Sequence, residues 1–147
     1  AVTQKDLFRI MNPISDAPST LRKLSVKGIR IRIITHRLFL KYFHKTSIQQ
    51  TVEWLDAHDI PYWDLCFMKD KGAVGAHVYI DDSPKNVLRL REQGCRTIVF
   101  SNSTNRHIEG PRAESWAAVE KLVLEAYEEW KTGTLDLFGA SSFCNRP

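Results

Sequence analysis

The order of apolar and polar residues predicts helices and strands that alternate along most of the chain. Helical spacing predicts helices over 18–28, 46–61, 83–94 and 115–133. Alternating or continuous apolar runs predict strands over 29–34, 64–68, 76–80 and 95–100. Strands that alternate with helices favour an α/β layer fold with a mainly parallel sheet.

Residues at the predicted helix ends support these boundaries. Ser83 is a suitable N-cap, Pro84 suits the first helical position, and Gly94 is placed to end that helix. Gly28 and Pro61 are placed to end the two preceding helices.

Two helices have an apolar face that we expect to be buried. In the helix over 46–61 the inward positions are Ile48, Val52 and Leu55. The stripe of the helix over 115–133 consists of Trp116, Val119, Val123, Ala126, Tyr127 and Trp130.

Composition is that of an ordinary globular domain. The chain has 147 residues, of which 43% are hydrophobic, and no apolar run is long enough to span a bilayer. The N-terminus lacks a signal-peptide pattern, so we expect a cytoplasmic protein. We expect a core over residues 1–131 and an irregular tail over 132–147, which has no periodicity.

The cysteines also favour a cytoplasmic protein. Cys66, Cys95 and Cys144 have neither C-x-x-C nor zinc-site spacing. Cys66 and Cys95 lie within apolar runs, which predicts buried thiols in a reducing compartment.

The net charge of +4 comes largely from the basic stretch over 30–45. Such a stretch either forms a solvated face or binds phosphate groups. Nucleic-acid binding is therefore an alternative, although no recognition motif supports it; a steep salt dependence of binding would identify it.

Polar residues follow the predicted strands where ligands bind in open parallel sheets. After 29–34 come Thr35, His36 and Arg37, and after 76–80 come Asp81 and Asp82. The loop between 64–68 and 76–80 contains Lys69, Asp70 and Lys71. A hydroxyl group, a cation and two carboxylates are thus expected at one edge of the sheet.

Adjacent carboxylates repel each other, and a divalent cation removes that repulsion. Mg²⁺ binds one or two carboxylates together with waters and phosphate oxygens. Asp81 and Asp82 therefore predict a magnesium site. In the alternative interpretation they only cap the next helix and interact with its dipole.

Together these residues resemble the haloacid dehalogenase-like hydrolases, in the branch of 5′-nucleotidases and 5′(3′)-deoxyribonucleotidases. Thr35 in "RIITHR" matches the family's second motif, Lys71 in "FMKDKG" its third, and the acidic pair in "VYIDDSP" its fourth. Lys71 fits the spacing to the acidic pair better than Lys69 does. The similarity covers roughly residues 6–125.

The resemblance implies a three-layer Rossmann-like fold and a magnesium-dependent phosphatase acting on (deoxy)nucleoside monophosphates through a phospho-aspartyl intermediate. Asp81 should bind Mg²⁺ directly, and Asp82 should assist by ligation or through hydrogen bonds to Lys71. Lys71 should hold the phosphate and the nucleophile, and Thr35 should donate to a phosphoryl oxygen. His36 and Arg37 are further expected contacts to phosphate or substrate.

The family's first motif, D-x-D, supplies the nucleophile, and it does not occur before Thr35. We therefore expect a relative that lacks its N-terminal segment and most of its cap domain. The segment "TLDLFGAS", with Asp136, resembles motif one only superficially and would require a circular permutation.

In the resembled fold the motif-one strand lies between the strands over 29–34 and 76–80. These two strands should therefore not be hydrogen-bonded to each other. A retained N-terminal fragment, a second chain or residues 132–136 would fill the gap.

Two other functions remain open. The chain could be an inactive module of the same fold that binds a phosphorylated ligand or a protein partner. A response-regulator receiver also combines an acidic pair, a hydroxyl group and a lysine, but there the acidic pair comes first. The preferred base and sugar cannot be inferred from these residues.

Overall fold

The computed structural model describes residues 16–35 and 44–133, which fall into two compact units divided between Lys69 and Asp70. The first unit contains α1 (Ala17–Val26), β1 (Arg32–Thr35), α2 (His44–Ala57) and β2 (Asp64–Phe67). The second contains a 3₁₀ helix (Lys71–Val74), β3 (Tyr79–Asp81), α3 (Pro84–Glu92), β4 (Thr97–Phe100), β5 (Arg112–Ala113) and α4 (Trp116–Lys131).

A two-stranded parallel sheet forms the centre of the first unit. Strand β1 pairs with β2 from Arg32 opposite Asp64 to Thr35 opposite Phe67. The guanidinium of Arg32 binds both carboxylate oxygens of Asp64, at 2.9 and 3.0 Å from Nε, and so joins the two strands at their start. Leu24 of α1 and Leu55 of α2 are buried.

The second unit contains a three-stranded parallel sheet in the order β3-β4-β5. Asp81 lies opposite Val99, and Phe100 lies opposite Ala113. Val87 of α3 packs with Val99 and Ile108 in a buried cluster. Val99 lies one residue before the end of β4 and Ile108 belongs to the loop that follows, so the cluster anchors that loop to α3.

The predicted α/β fold with a mainly parallel sheet is confirmed, since every strand pairing in the described residues is parallel. Strands β1 and β3 belong to different hydrogen-bonded sheets within 16–35 and 44–133, as predicted. The structure adds β5 and the 3₁₀ helix, which are too short to give a periodic signal. The division at residue 131 stays a prediction, and the tail over 134–147 lies outside the described residues.

The buried face of α2 differs from the predicted one. Ile48 is 38% exposed, whereas Ser47 and Thr51 are each 4% exposed. Ser47, Thr51 and Leu55 are spaced at i, i+4 and i+8, so they share one face of the helix. The Thr51 hydroxyl donates to the Ser47 carbonyl at 2.6 Å, which satisfies that hydroxyl inside the unit and lets a polar residue replace the expected apolar one.

The stripe of α4 is confirmed only in part. Val119, Val123 and Ala126 are buried, but Trp130 in the last turn is 50% exposed. Its ring stacks on Tyr127 with the ring centroids 5.9 Å apart. Tyr127 thus covers one face of the Trp130 indole, so only part of the ring is in contact with solvent.

The prediction of two buried thiols was wrong. Cys95 is 5% exposed and disulfide-bonded, and Cys66 is free but only partly buried. Spacing along the sequence does not reveal which cysteines come together in space. Burial and the carboxylate of Asp64 raise the pKa of the Cys66 thiol. No helix in the described residues is both long and apolar enough to cross a membrane.

Candidate functional site

The acidic pair lies at the carboxyl end of β3, where the strand turns into α3. Asp81 is the last residue of β3 and is buried, whereas Asp82 is exposed. Pro84 follows at the start of α3, where its missing N–H group costs nothing. One carboxylate of the pair therefore faces the protein and the other faces solvent.

Lys71 is the cationic partner of Asp81. Its Nζ atom lies 2.5 Å from Asp81 Oδ2, and the two side chains are only 19% and 7% exposed. A carboxylate this deeply buried would be costly without a partner, and the ammonium group supplies both the opposite charge and a hydrogen bond.

The 3₁₀ helix that carries Lys71 is fixed at both ends. The Tyr79 hydroxyl accepts from the Ala76 amide at 3.2 Å and donates to the Gly72 carbonyl at 3.4 Å. The Gln93 amide donates to Asp70 Oδ1 at 3.1 Å, just before Lys71. These bonds connect the Lys71 turn to β3 and to the end of α3.

Asp81 accepts further hydrogen bonds besides that of Lys71. The Ser83 amide donates to Oδ1 at 2.9 Å, and Asn86 Nδ2 lies 3.3 Å from Oδ1 and 3.2 Å from Oδ2. Asp81 thus satisfies an amide at the start of α3, while the Ser83 side chain makes no capping bond. The Ser83 amide belongs to the residue that precedes the helix, so the alternative in which the pair only caps α3 stays a prediction. Asp81 also holds Lys71.

Asp82 has a different environment. Its carboxylate Oδ2 accepts one long hydrogen bond, at 3.4 Å, from Asn102 Nδ2. Lys71 binds Asp81 rather than Asp82. The assisting role expected of Asp82, by ligation or through hydrogen bonds to Lys71, stays a prediction. Asp81 is the buried last residue of β3 and contacts Lys71 of the 3₁₀ helix, whereas Asp82 follows the strand and is exposed.

Sequence reasoning missed two asparagines in the loop after β4. Asn105 is completely buried, and its Nδ2 atom donates to the Asp82 carbonyl at 2.8 Å. Asn102 is the residue that contacts the Asp82 carboxylate. A signal was present in "FSNSTNRH": these asparagines follow β4 at the same edge of the sheet at which β3 ends.

Thr35 is the last residue of β1 in the first unit, where it is half-buried and its carbonyl accepts from the Met68 amide at 3.0 Å. Lys69 is exposed. His36 and Arg37 lie outside the described residues. The structure thus brings Lys71, Asp81 and Asp82 together in the second unit, and it places Thr35 at a strand end of the first.

The chemistry of the acidic pair suits a hard cation. No group of three or more histidine, cysteine, aspartate and glutamate side chains with metal-site geometry occurs in the described part of the chain. Mg²⁺ does not need such a group, because it keeps several waters and takes one or two carboxylates. Asp81 and Asp82 offer that donor set next to a lysine that could face a phosphate.

Comparisons with known proteins show what the chain is similar to. Residues 1–129 match the family described as "5' nucleotidase, deoxy (Pyrimidine), cytosolic type C protein". The chain is 61% identical over 123 residues to "Putative 5'(3')-deoxyribonucleotidase" of Chlorobaculum tepidum, a match that covers 84% of this chain. The chain spans 61% of the length of that relative.

Proposed function

This chain belongs to the cytosolic type C family of 5′-nucleotidases, in the haloacid dehalogenase-like branch, and on that premise we propose that it carries part of the active site of a magnesium-dependent phosphatase. The substrates are phosphate monoesters, namely (deoxy)nucleoside monophosphates. The cytosolic type of the family supports a cytoplasmic location. The observation that carries the proposal is the Lys71–Asp81 ion pair beside the exposed carboxylate of Asp82.

Lys71 is the group that contacts the phosphate. Its ammonium group has three donor hydrogens, and Asp81 uses one of them. The others can bind a phosphoryl oxygen and the attacking carboxylate, and the positive charge offsets the negative charge of both. Asp81 orients that ammonium group through the ion pair.

Asp81 and Asp82 are the residues that would hold Mg²⁺, and the bound ion would supply positive charge next to the phosphate. The hydrogen bonds argue for a division of roles within the pair. Asp81 is already engaged by Lys71, Ser83 and Asn86, whereas the Asp82 carboxylate is exposed and accepts one long bond. Asp82 is therefore the better direct ligand, and Asp81 acts mainly by orienting Lys71; this reverses the order expected from the sequence.

From the family motif, Thr35 is a further proposed phosphate contact through its hydroxyl group, and His36 and Arg37 are additional candidates. Their types suit the task, since a hydroxyl donor and a guanidinium both bind phosphoryl oxygens. These three roles rest on the family motif and on the position of Thr35 at the end of β1.

These 147 residues contain no D-x-D motif, so they do not supply the nucleophile in the family's usual form. We assign it to a strand from outside them, either an N-terminal fragment or a second chain. A carboxylate oxygen of that strand forms the new bond to phosphorus as the ester P–O bond breaks and the leaving alcohol takes a proton. Water then hydrolyses the acyl phosphate and restores the carboxylate.

The proposal is tested by phosphate release from nucleoside 5′- and 3′-monophosphates with Mg²⁺, on samples in which intact mass and N-terminal sequencing identify every chain. Samples that contain a D-x-D segment should hydrolyse these esters, and Lys71→Ala should abolish the activity. An active sample in which Lys71→Ala retains wild-type turnover would contradict the proposed site.

The second candidate is a non-catalytic module that binds a phosphorylated ligand through Lys71 and Thr35. A lysine ammonium and a threonine hydroxyl can donate to a phosphate whether or not hydrolysis follows. Binding of a nucleoside monophosphate without hydrolysis, in a sample that includes the D-x-D segment, would support this alternative over the enzyme.

A further inference from the structure

We propose that Asn105 is a positioning residue for the acidic pair, and that Arg112 holds Asn105 in place. This inference rests on the proposed function, because it assigns Asn105 to the metal and phosphate site of Asp81 and Asp82. Asn105 touches neither carboxylate; it acts through the backbone of Asp82.

The donor side of Asn105 joins two strand ends. Its Nδ2 atom donates to the Asp82 carbonyl at 2.8 Å and to the Phe100 carbonyl at 2.7 Å. Asp82 follows β3 and Phe100 ends β4, so one amide group closes the sheet ladder beyond its last regular pair, Asp81 opposite Val99. The Asp82 carbonyl belongs to the peptide between Asp82, which carries the exposed carboxylate, and Ser83, which precedes α3. The bond from Asn105 fixes that peptide.

The acceptor side of Asn105 is bound just as firmly. Its Oδ1 atom accepts from the Asn102 amide at 3.1 Å and from Arg112 Nη1 at 2.9 Å. Arg112 also donates to the Asn105 carbonyl at 2.6 Å, to the Ser101 hydroxyl at 3.0 Å and to the Ile108 carbonyl. These acceptors are neutral oxygens, so the planar guanidinium works here as a clamp on the loop rather than as half of an ion pair.

This arrangement couples β5 to the acidic pair. The side chain of Asn105 is completely buried. Its four hydrogen bonds fix the position of the side chain and the orientation of its amide group. The same loop brings Asn102 to the Asp82 carboxylate. Removing the amide would release the Asp82 peptide, and with it the turn in which the Ser83 amide binds Asp81.

The test compares Asn105→Ala with a control that loses a buried hydrogen bond elsewhere in the same sheet. Thr97→Val is that control, because Thr97 is 2% exposed, its hydroxyl binds the Cys95 carbonyl, and it lies at the opposite end of β4. Two quantities are measured: the affinity for Mg²⁺ by calorimetry, and amide hydrogen exchange of the metal-free chain by NMR.

Asn105→Ala should bind Mg²⁺ about tenfold or more weakly than Thr97→Val, since lost outer-shell partners typically reduce metal affinity by about 10–100-fold. In the metal-free chain the Ser83 amide should lose protection in Asn105→Ala relative to the Tyr79 amide, which binds the Arg96 carbonyl at the other end of β3. Asn105→Asp keeps the shape and the acceptor oxygen but replaces the donor Nδ2 with an oxygen that cannot donate when ionised. Ser83 should therefore lose protection in this variant too, even though an ion pair with Arg112 offsets part of the lost stability.

The exchange result decides the inference whether or not the metal binds. If wild type binds no Mg²⁺, the proposed metal site fails, and the inference stands or falls on Ser83. Equal protection of Ser83 in Asn105→Ala, Asn105→Asp and Thr97→Val would overturn it. Folded Asn105→Ala that binds Mg²⁺ as tightly as Thr97→Val would overturn it as well.

Discussion

Lys71 Nζ lies 2.5 Å from Asp81 Oδ2, across the 10 residues that separate the 3₁₀ helix from the end of β3. The contact joins the Lys71 motif to the acidic pair, and these two motifs are direct neighbours in the second unit. Because both side chains are largely buried, each supplies the opposite charge that offsets the cost of burying the other.

Lys71→Ala should therefore lower the free energy of unfolding by about 1–3 kcal/mol, since it leaves the Asp81 carboxylate buried without its cation. The exposed Lys69 provides the matched control, and Lys69→Ala should change stability by no more than about 0.5 kcal/mol. Urea denaturation measures both. In an active sample Lys71→Ala should also lose far more turnover than Lys69→Ala, and the reverse ranking would show that the wrong lysine was assigned.

Gly72→Ala tests the packing that holds the Lys71 turn. A Cβ atom at this position would lie 2.0 Å from Gln93 Oε1, so the Gln93 side chain must move and its bond to Asp70 is lost. We expect a loss of about 1 kcal/mol. The backbone of Gly72 is not in the left-handed region, so the clash alone opposes alanine.

In the Gln93→Ala background the same Gly72→Ala change should be neutral or stabilising, because alanine restricts the unfolded chain more than glycine does. A double-mutant cycle measures this coupling. Equal losses in both backgrounds would mean that Gln93 is not what excludes a side chain at position 72.

His77 should give the unfolding free energy a pH dependence. Burial lowers the pKa of His77 below 6.5, so the folded chain binds this proton less readily than the unfolded chain does. Stability from this group is therefore complete above the unfolded pKa and is lost as pH falls from about 7 to 5. Denaturation at several pH values should show a shallower acid loss for His77→Gln than for wild type. The same acid loss in both proteins would contradict this role of His77.

Cys66 offers a test of the β1–β2 ion pair. Asp64 raises the pKa of the Cys66 thiol, although burial raises it more. Asp64→Asn should lower that pKa and speed alkylation of Cys66 at mildly alkaline pH, because the thiolate is the reactive form. Mass spectrometry of the Cys66 peptide measures the rate; unchanged alkylation in Asp64→Asn, with exposed Asp56→Asn as control, would contradict the assigned influence of Asp64.

The parallel α/β fold and the proximity of Lys71 to the acidic pair could be predicted from the sequence. Both rest on local signals: apolar runs that end in polar residues, with helix stops such as Gly94, whose φ is +80°. The buried face of α2 could not be predicted from apolar spacing, because the hydroxyl of Thr51 is satisfied within its own helix.

The role of Asn105 was beyond a reading of periodicity for a different reason. Asn105 contacts Asp82, 23 residues earlier, and Arg112, seven residues later, so its function depends on which loops meet at the edge of the sheet. Asparagine in a loop also has a ready local explanation as a turn residue. A turn residue and a residue that links loops at the edge of the sheet are distinguished only by the pairing of β3 with β4 and of β4 with β5.

The most direct test of the proposed site is a calorimetric titration of Mg²⁺ into wild type, Asp82→Asn, Asp81→Asn and the exposed-carboxylate control Glu114→Gln. We predict that wild type and Glu114→Gln bind equally, that Asp82→Asn loses at least about tenfold in affinity, and that Asp81→Asn is also weakened because it disrupts the Lys71 turn. Equal affinity in all four proteins would contradict the assignment of a metal site to the acidic pair.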